Sequence, residues 1–410
     1  MRLILLLLLL PLALLAQSSA PARPAAVKKP AVKPGIEVLL EHRLDLIRGK
    51  RVGLMTNQTG VDSKRRRTLD LLAARRDMKL TALFACEHGI RGDLPAGTVV
   101  PGGRDKRTGL PVYSLYGGDD RRPKKVLLDK VDVVIYDIQD TGSRSYTYIW
   151  SMAEMIAACG QHGKHLIVLD RPDIFGGLVV DGAVREEAYK SFIGLYPVPK
   201  VYGMTCGELA RYLNTEYRLK CNLTVVPMSG WRRGMTWEET GLPWVPTSPK
   251  ITTVRASQCF AATGGIGVLG GVLNIGMPGN TPFQCVAAPW IDARRMAAEL
   301  NAQKLPGITF VATSYKSGAY MQYGVTLKIT QASRFMPART EVAILAWVRR
   351  NYPRQPLFEP RFHNIFDKAN GTSSIRTRLA RGESWQQVAK SWEPALSQFK
   401  ARRGKYLIYR

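Results

Sequence analysis

The sequence predicts an α/β protein in which a Rossmann-like parallel-sheet domain is followed by a C-terminal α+β auxiliary domain. Three observations carry this. Four short apolar runs each stop at a polar, glycine-punctuated loop. Segments of helical period separate those runs, and strands alternating with helices pair in parallel through crossover connections. From about Pro246 the alternation gives way to a glycine-rich stretch, two strand-like runs and amphipathic helices.

The elements follow in order. Met1-Arg2, an unbroken apolar run to Leu10 and the small-residue site Ser18-x-Ala20 have the form of a signal peptide over residues 1–20. The run is shorter than the roughly 20 apolar residues of a spanning helix, so an exported chain, periplasmic or extracellular, with no integral membrane segment after cleavage is expected. Residues 21–35, rich in proline, alanine and lysine, lack large apolar side chains and read as an extended tether. Residues 36–245 are then the Rossmann-like parallel-sheet domain and 246–410 the second, α+β domain.

Within the first domain, Val52–Met55 runs into Thr56-Asn57-Gln58-Thr59-Gly60, and Leu80–Cys86 runs into Glu87-His88-Gly89. Val131–Tyr136 leads to Asp137-Ile138-Gln139-Asp140-Thr141-Gly142, and Leu166–Leu169 to Asp170-Arg171-Pro172-Asp173. Open parallel sheets bind ligands beyond the carboxyl ends of their strands, so one cleft built from these four loops is the simplest reading. Helices are predicted over 68–76 and 146–159 from their apolar spacing. Another is predicted over 204–219, where Thr205 and Glu208 have capping-box spacing. A strand is predicted at 223–226. In the second domain, strands are expected at 308–311 and 324–329 and helices at 341–350 and 385–399.

Composition narrows the function. With 59 Lys and Arg against 32 Asp and Glu the formal charge is +27. The basic residues are dispersed, without aromatic interleaving, so no nucleic-acid module is visible. For an exported chain the natural counterparts are anionic wall polymers and lipid headgroups. Six cysteines make disulfides permissible in an oxidising compartment. With five histidines and no close cysteine pair, zinc-ligand spacing is absent, and no metal is expected. Gly265-Ile266-Gly267-Val268-Leu269-Gly270 fits the dinucleotide pattern G-x-G-x-x-G. It lies outside the first strand-to-helix turn, where that fingerprint works, so no cofactor is expected either.

The strand-end motifs form a recognisable set. Residues 52–60, 87–92, 108–117 and 136–148, followed by Asp170-Arg171-Pro172, residues 203–210, 240–246, Pro282-Phe283, Ala288-Pro289-Trp290 and residues 403–409, resemble in order the NamZ family of exo-β-N-acetylmuramidases. The resemblance covers nearly the whole chain beyond the tether. It implies a Rossmann-like catalytic domain with an auxiliary domain, and a glycosidase releasing terminal N-acetylmuramic acid, or a related amino sugar, from peptidoglycan-derived muropeptides or disaccharides during cell-wall turnover.

Glycoside hydrolysis needs a carboxylic acid to protonate the leaving oxygen. Glu87, at the end of an apolar strand, is the first choice, with His88 beside it to orient the acid or the sugar. Without the family likeness, a loop carboxylate pairing with Arg91 is the simpler reading. Asp137 and Asp140 are the candidates for the second catalytic group. Retaining, inverting and substrate-assisted routes all fit these residues, and carboxylate separation decides among them.

The lactyl carboxylate of N-acetylmuramic acid calls for a cation, with Arg144 first, then Arg91 and Arg171. Asn57, Gln58 and Gln139 offer amides to the sugar. Tyr146 and Trp244 offer faces for stacking, although such aromatics also serve as core.

The chain departs from the family pattern in three places. Where the family carries a Glu-Gly-Thr-Asn motif, this sequence has Ala261-Ala262-Thr263-Gly264, without the acid. Tyr202 stands where a histidine precedes Gly-Met-Thr, and Asp173-Ile174-Phe175 replaces an Asn-Pro segment. The missing glutamate leaves a second reading, a catalytically inactive protein that binds cell-wall fragments in the same cleft.

Overall fold

The computed structural model describes residues 32–118, 121–279 and 281–410. The expected signal peptide and most of the tether lie outside the described residues. Strands β1 (Arg51–Thr56), β2 (Lys79–Ala85), β3 (Gly103–Arg104), β4 (Pro111–Ser114), β5 (Val133–Asp137), β6 (His165–Leu169) and β7 (Asn222–Val226) form one sheet in the order β3-β4-β2-β1-β5-β6-β7. All neighbours are parallel except the short β3–β4 pair.

The central strands are apolar without alternation because helices cover both faces, and every residue of β5 is buried. Leu54 of β1 stands opposite Leu83 on one side and Ile135 on the other. Gly53 is required where it stands: a Cβ there would lie 2.8 Å from the Phe84 ring. The helix Tyr148–Gln161 packs on this sheet with eleven of its fourteen residues buried, which is why its apolar residues outnumber a single stripe. The helix Cys206–Glu216 begins with the reciprocal Thr205–Glu208 capping box that the sequence predicts.

In the second half, β8 (Cys285–Ala288), β9 (Ile308–Ser317) and β10 (Tyr320–Ile329) form an antiparallel sheet in the order β8-β10-β9. The two predicted strands here are longer than expected because β9 and β10 are one hairpin whose distal, more polar half extends toward solvent. Helices Val254–Gly267, Ala293–Ala302, Pro337–Asn351, Pro360–Asn370, Ser374–Ala380 and Trp385–Arg403 complete it. The glycine-rich fingerprint is no phosphate loop: Gly265 and Gly267 lie in the last turn of a helix.

The halves share a core. Met55, Trp150 and Phe175 from the first belong to one buried cluster with Phe310, Trp347 and Phe399 from the second. The carboxyl terminus returns to the parallel sheet, where the Tyr409 hydroxyl donates to Asp170 Oδ2 at 2.7 Å. Deep between the halves, Lys200 pairs with Glu341, both excluded from water.

One expectation needs correction. The last tether residues are not loose: Val32 is fully buried, Lys33 pairs with Ser229, and a helix starts at Gly35. A short apolar or backbone-pairing segment packs even in proline-rich company when a groove receives it. The six cysteines are all free and buried, behaving as small hydrophobes. Among the described residues no helix is long and apolar enough to cross a membrane, and no group of His, Cys, Asp and Glu is arranged to hold a metal ion.

Candidate active site

The sheet's strand order turns at β1, with β2 on one side and β5 on the other. Loops leaving adjacent strands diverge at such a switch point and open a crevice. A cleft of about 510 Å³ lies beyond the strand ends, walled by residues after β2 (Glu87 to Ala96), by Tyr116, and by Ser145, Tyr146 and Thr147. The second half supplies the opposite wall through Ser248–Ile251, Phe260, Met277 and Phe283.

Glu87 is fixed on this wall by three donors. The backbone N–H of Gly97 and the Tyr116 hydroxyl reach Oε1 at 3.0 and 2.9 Å, and the Thr147 hydroxyl donates to Oε2. These contacts draw on the loops after β2, β4 and β5, so the carboxylate's position depends on three separate crossovers. Burial, reinforced by the negative charge of Glu87, pushes the Tyr116 phenol well up and keeps it protonated as a donor. His88 takes a left-handed backbone conformation, with φ of 66°. Its Nδ1 lies 2.6 Å from the Leu94 carbonyl, so that nitrogen carries the proton and donates, and the ring braces the loop behind Glu87.

Tyr146 lines the cleft, edge-on to Phe260 at 5.6 Å, and Phe260 is edge-on to Phe283 at 5.2 Å. Together they make an apolar wall suited to a sugar face. Of the candidates from sequence, then, Glu87, His88 and Tyr146 meet in the cleft.

The others are placed elsewhere. Asp137 is buried, accepts from Thr68 Oγ1 and pairs with Arg171 Nε at 2.5 Å, while Arg171 Nη2 donates to the Val61 carbonyl at 2.7 Å. This buried pair ties the loops after β1, β5 and β6 together. Asp140 is also interior, accepting from Gly142 N at 2.7 Å and from the Tyr202 hydroxyl, and burial pushes its carboxyl up to about 7. Gln139 bonds to the carbonyls of Asp140 and Pro172, and Asn57 Oδ1 closes a turn on Thr59. Gln58 Nε2 holds the carbonyls of Pro246 and Thr247 at 2.8 and 3.0 Å.

Arg144 is the clearest correction. It is wholly buried, with its guanidinium given to the carbonyls of Ala183, Val198 and Ala369 at 2.9–3.1 Å. It bridges the two halves and lies outside the cleft. Arg91 pairs with Asp105 at 2.6 Å, and Trp244 packs edge-on against Trp237 at 5.0 Å. Asp137, Asp140, Gln139 and Arg171 follow buried strands, where pairing within the protein offsets part of the cost of their burial.

Sequence reasoning missed Tyr116, Thr147, Phe260 and Phe283 as cleft residues. Tyr116, Thr147 and Phe283 lay within motif segments, but nothing in a linear pattern says that a tyrosine after β4 and a threonine after β5 meet one glutamate.

Comparison with known proteins gives the arrangement its family. The profile described as exo-β-N-acetylmuramidase NamZ, N-terminal, matches residues 52–255, and the corresponding C-terminal profile matches residues 263–409. The chain is 40% identical over 399 residues to the peptidoglycan β-N-acetylmuramidase NamZ of Bacillus subtilis (strain 168), covering 96% of this chain and 95% of that one. This chain belongs to the NamZ family. A crystal structure of a DUF1343 family protein from Bacteroides fragilis NCTC 9343 shares its fold with a TM-score of 0.87 at 38% identity, covering 93% of this chain and 99% of that one. A second DUF1343 protein from the same organism gives 0.69 at 26% identity, covering 92% and 99%.

Ala261 and Ala262 are fully buried on the helix Val254–Gly267, one and two residues beyond Phe260. Among the described cleft-lining residues the only acids are Glu87 and Asp93.

Proposed function

We propose that this chain is an exo-acting glycosidase that releases terminal N-acetylmuramic acid from peptidoglycan fragments, with Glu87 as the carboxyl group at the bond being cut. The observation that carries the reading is the three-donor fixation of Glu87 on the wall of a cleft large enough for a sugar, in a chain of this family. The amino-terminal sequence supports export to the compartment where that substrate lies.

The Thr147 and Tyr116 hydroxyls each donate and accept, so the site holds Glu87 with or without its proton. One carboxyl group in such a setting gives a proton to the departing glycosidic oxygen and takes one from the incoming water. With Asp137 and Asp140 committed to the interior, the second catalytic role falls either to Asp93 on the exposed lip or to the sugar's own acetamido oxygen as internal nucleophile.

The test is turnover of a chromogenic β-N-acetylmuramide by the wild type, Glu87→Gln and Asp93→Asn. The reading requires turnover that Glu87→Gln abolishes. Asp93→Asn within about twofold of wild type assigns the second role to the acetamido group, whereas a loss of about 100-fold or more assigns it to Asp93. The helix that carries alanines at 261 and 262 in place of an acid favours one other reading, a muropeptide-binding protein without catalysis. Absent turnover together with retained muropeptide binding selects it.

A further inference from the structure

The three arginines that the sequence offers for an anionic substituent are all committed: Arg144 to backbone carbonyls, Arg171 to Asp137, Arg91 to Asp105. Yet the cleft wall does carry one cationic side chain. Among the described lining residues, Lys250 is the only Lys or Arg.

Its surroundings mark it as more than a solvated surface charge. Lys250 is the third residue of a tight turn, Ser248-Pro249-Lys250-Ile251, closed by Ile251 N–H donating to the Ser248 carbonyl at 3.1 Å. Pro249 presets the backbone at the second turn position. The turn is nailed down on its entering side, where Gln58 Nε2 holds the carbonyls of Pro246 and Thr247, and the Tyr148 hydroxyl donates to Thr247 at 2.5 Å. On its leaving side, Ile251 is buried and Thr253 caps the helix that carries Phe260. Thr247 and Ile251 are thus held in the interior while Pro249 and Lys250 stay exposed at the tip.

No ion pair joins this ammonium group to a carboxylate among the described residues, and it shares the cleft lining with the apolar Ile251, Phe260 and Phe283. A cation on a fixed backbone at the cleft wall, with no internal counter-ion, is available to pair with an anionic ligand group.

We propose that Lys250 is a specificity-determining residue that pairs with the carboxylate of the 3-O-lactyl substituent, so that the cleft distinguishes N-acetylmuramic acid from the uncharged N-acetylglucosamine. This rests on the glycosidase reading above and assigns its substrate preference to one side chain.

The test measures binding of free N-acetylmuramic acid, its methyl ester and N-acetylglucosamine by titration calorimetry to the wild type, Lys250→Met and Lys250→Arg. The wild type is expected to favour N-acetylmuramic acid over N-acetylglucosamine by about tenfold, as a charge-assisted hydrogen bond supplies. Its affinity for the uncharged ester should match that for N-acetylglucosamine. Lys250→Met should bring the preference to within about twofold by weakening the acid alone, a change that loss of fold would not produce, and Lys250→Arg should keep most of it.

A preference that survives in Lys250→Met overturns the assignment while leaving the glycosidase reading intact. So does a wild type that binds both sugars equally. Binding of neither sugar, with no turnover of the muramide, overturns both.

Discussion

The loops after β2 and β5 leave the same sheet edge on either side of β1, both acidic, both punctuated by glycine, and they meet opposite fates. The loop after β5 turns inward: Asp137 is spent on Arg171 and Thr68, Asp140 on Tyr202 and Gly142. The loop after β2 turns outward, and Glu87 lies half-buried on a cleft with three donors around it. The contrast teaches that an acid after a buried strand is not by that fact catalytic. Where other strand-end loops lie within reach, their polar groups satisfy one another, and a functional acid remains only where the opposite wall comes from a distant part of the chain.

The largest expected effect attacks this contrast from the outward side. Glu87→Gln should lower turnover of the muramide by about 100-fold to 10⁴-fold, since a positioned proton donor is lost. Its urea-unfolding midpoint should stay near that of the wild type, because the Gln carbonyl can accept from Gly97 N–H and Tyr116 while its NH2 donates to the Thr147 hydroxyl, which can also accept. A large loss of stability would place Glu87 with the inward, structural group.

The inward loop should respond in reverse. Arg171→Met strands Asp137 as a buried charge, and removing one partner of such a pair costs about 3–5 kcal/mol, read as a lowered unfolding midpoint. Activity per folded molecule, measured well below that midpoint, should change little. If turnover falls while stability holds, Arg171 belongs to the site and the contrast fails.

Thr147→Val and Tyr116→Phe sharpen the outward side. Each removes one donor to Glu87, costing about 1–3 kcal/mol of positioning and so roughly tenfold in kcat with KM nearly unchanged. A rise in KM alone would make these residues sugar contacts rather than supports of the acid.

The smallest effect concerns acidity inside. Burial lifts Asp140 to about 7 from an ordinary value near 3.8, so between those values the folded chain keeps a proton that the unfolded chain has lost. Stability from this group is therefore present at low pH and is lost as pH rises toward and through 7. Asp170 and Asp173, both lifted to about 6 by burial, act in the same direction. Comparing unfolding midpoints at pH 5 and pH 8, Asp140→Asn should shrink the difference between them. An unchanged difference would remove Asp140 from the set of interior acids.

Much of this molecule is legible in the linear sequence. The apolar runs at 52–55, 80–86, 131–136 and 166–169 mark parallel strands because strands covered on both faces cannot alternate with polar residues. Thr205 and Glu208 mark a helix start because the backbone N–H groups there need partners wherever the helix lies. These are local demands, met by residues near in sequence.

Partners were not legible, and the site is made of partners. Arg144 looked like a ligand cation, yet it satisfies carbonyls as far away as residue 369. Glu87 was named from its strand end and its family likeness, whereas Tyr116 and Thr147, which hold it, come from two other crossovers. By itself the sequence determined the α/β class and most of the elements, because burial period and capping act over a few residues, whereas Glu87 was singled out only with the family likeness beside it. Only the tertiary structure decided which polar groups face substrate and which face one another, because desolvation is settled by whatever packs against a group, and those neighbours arrive from across the chain.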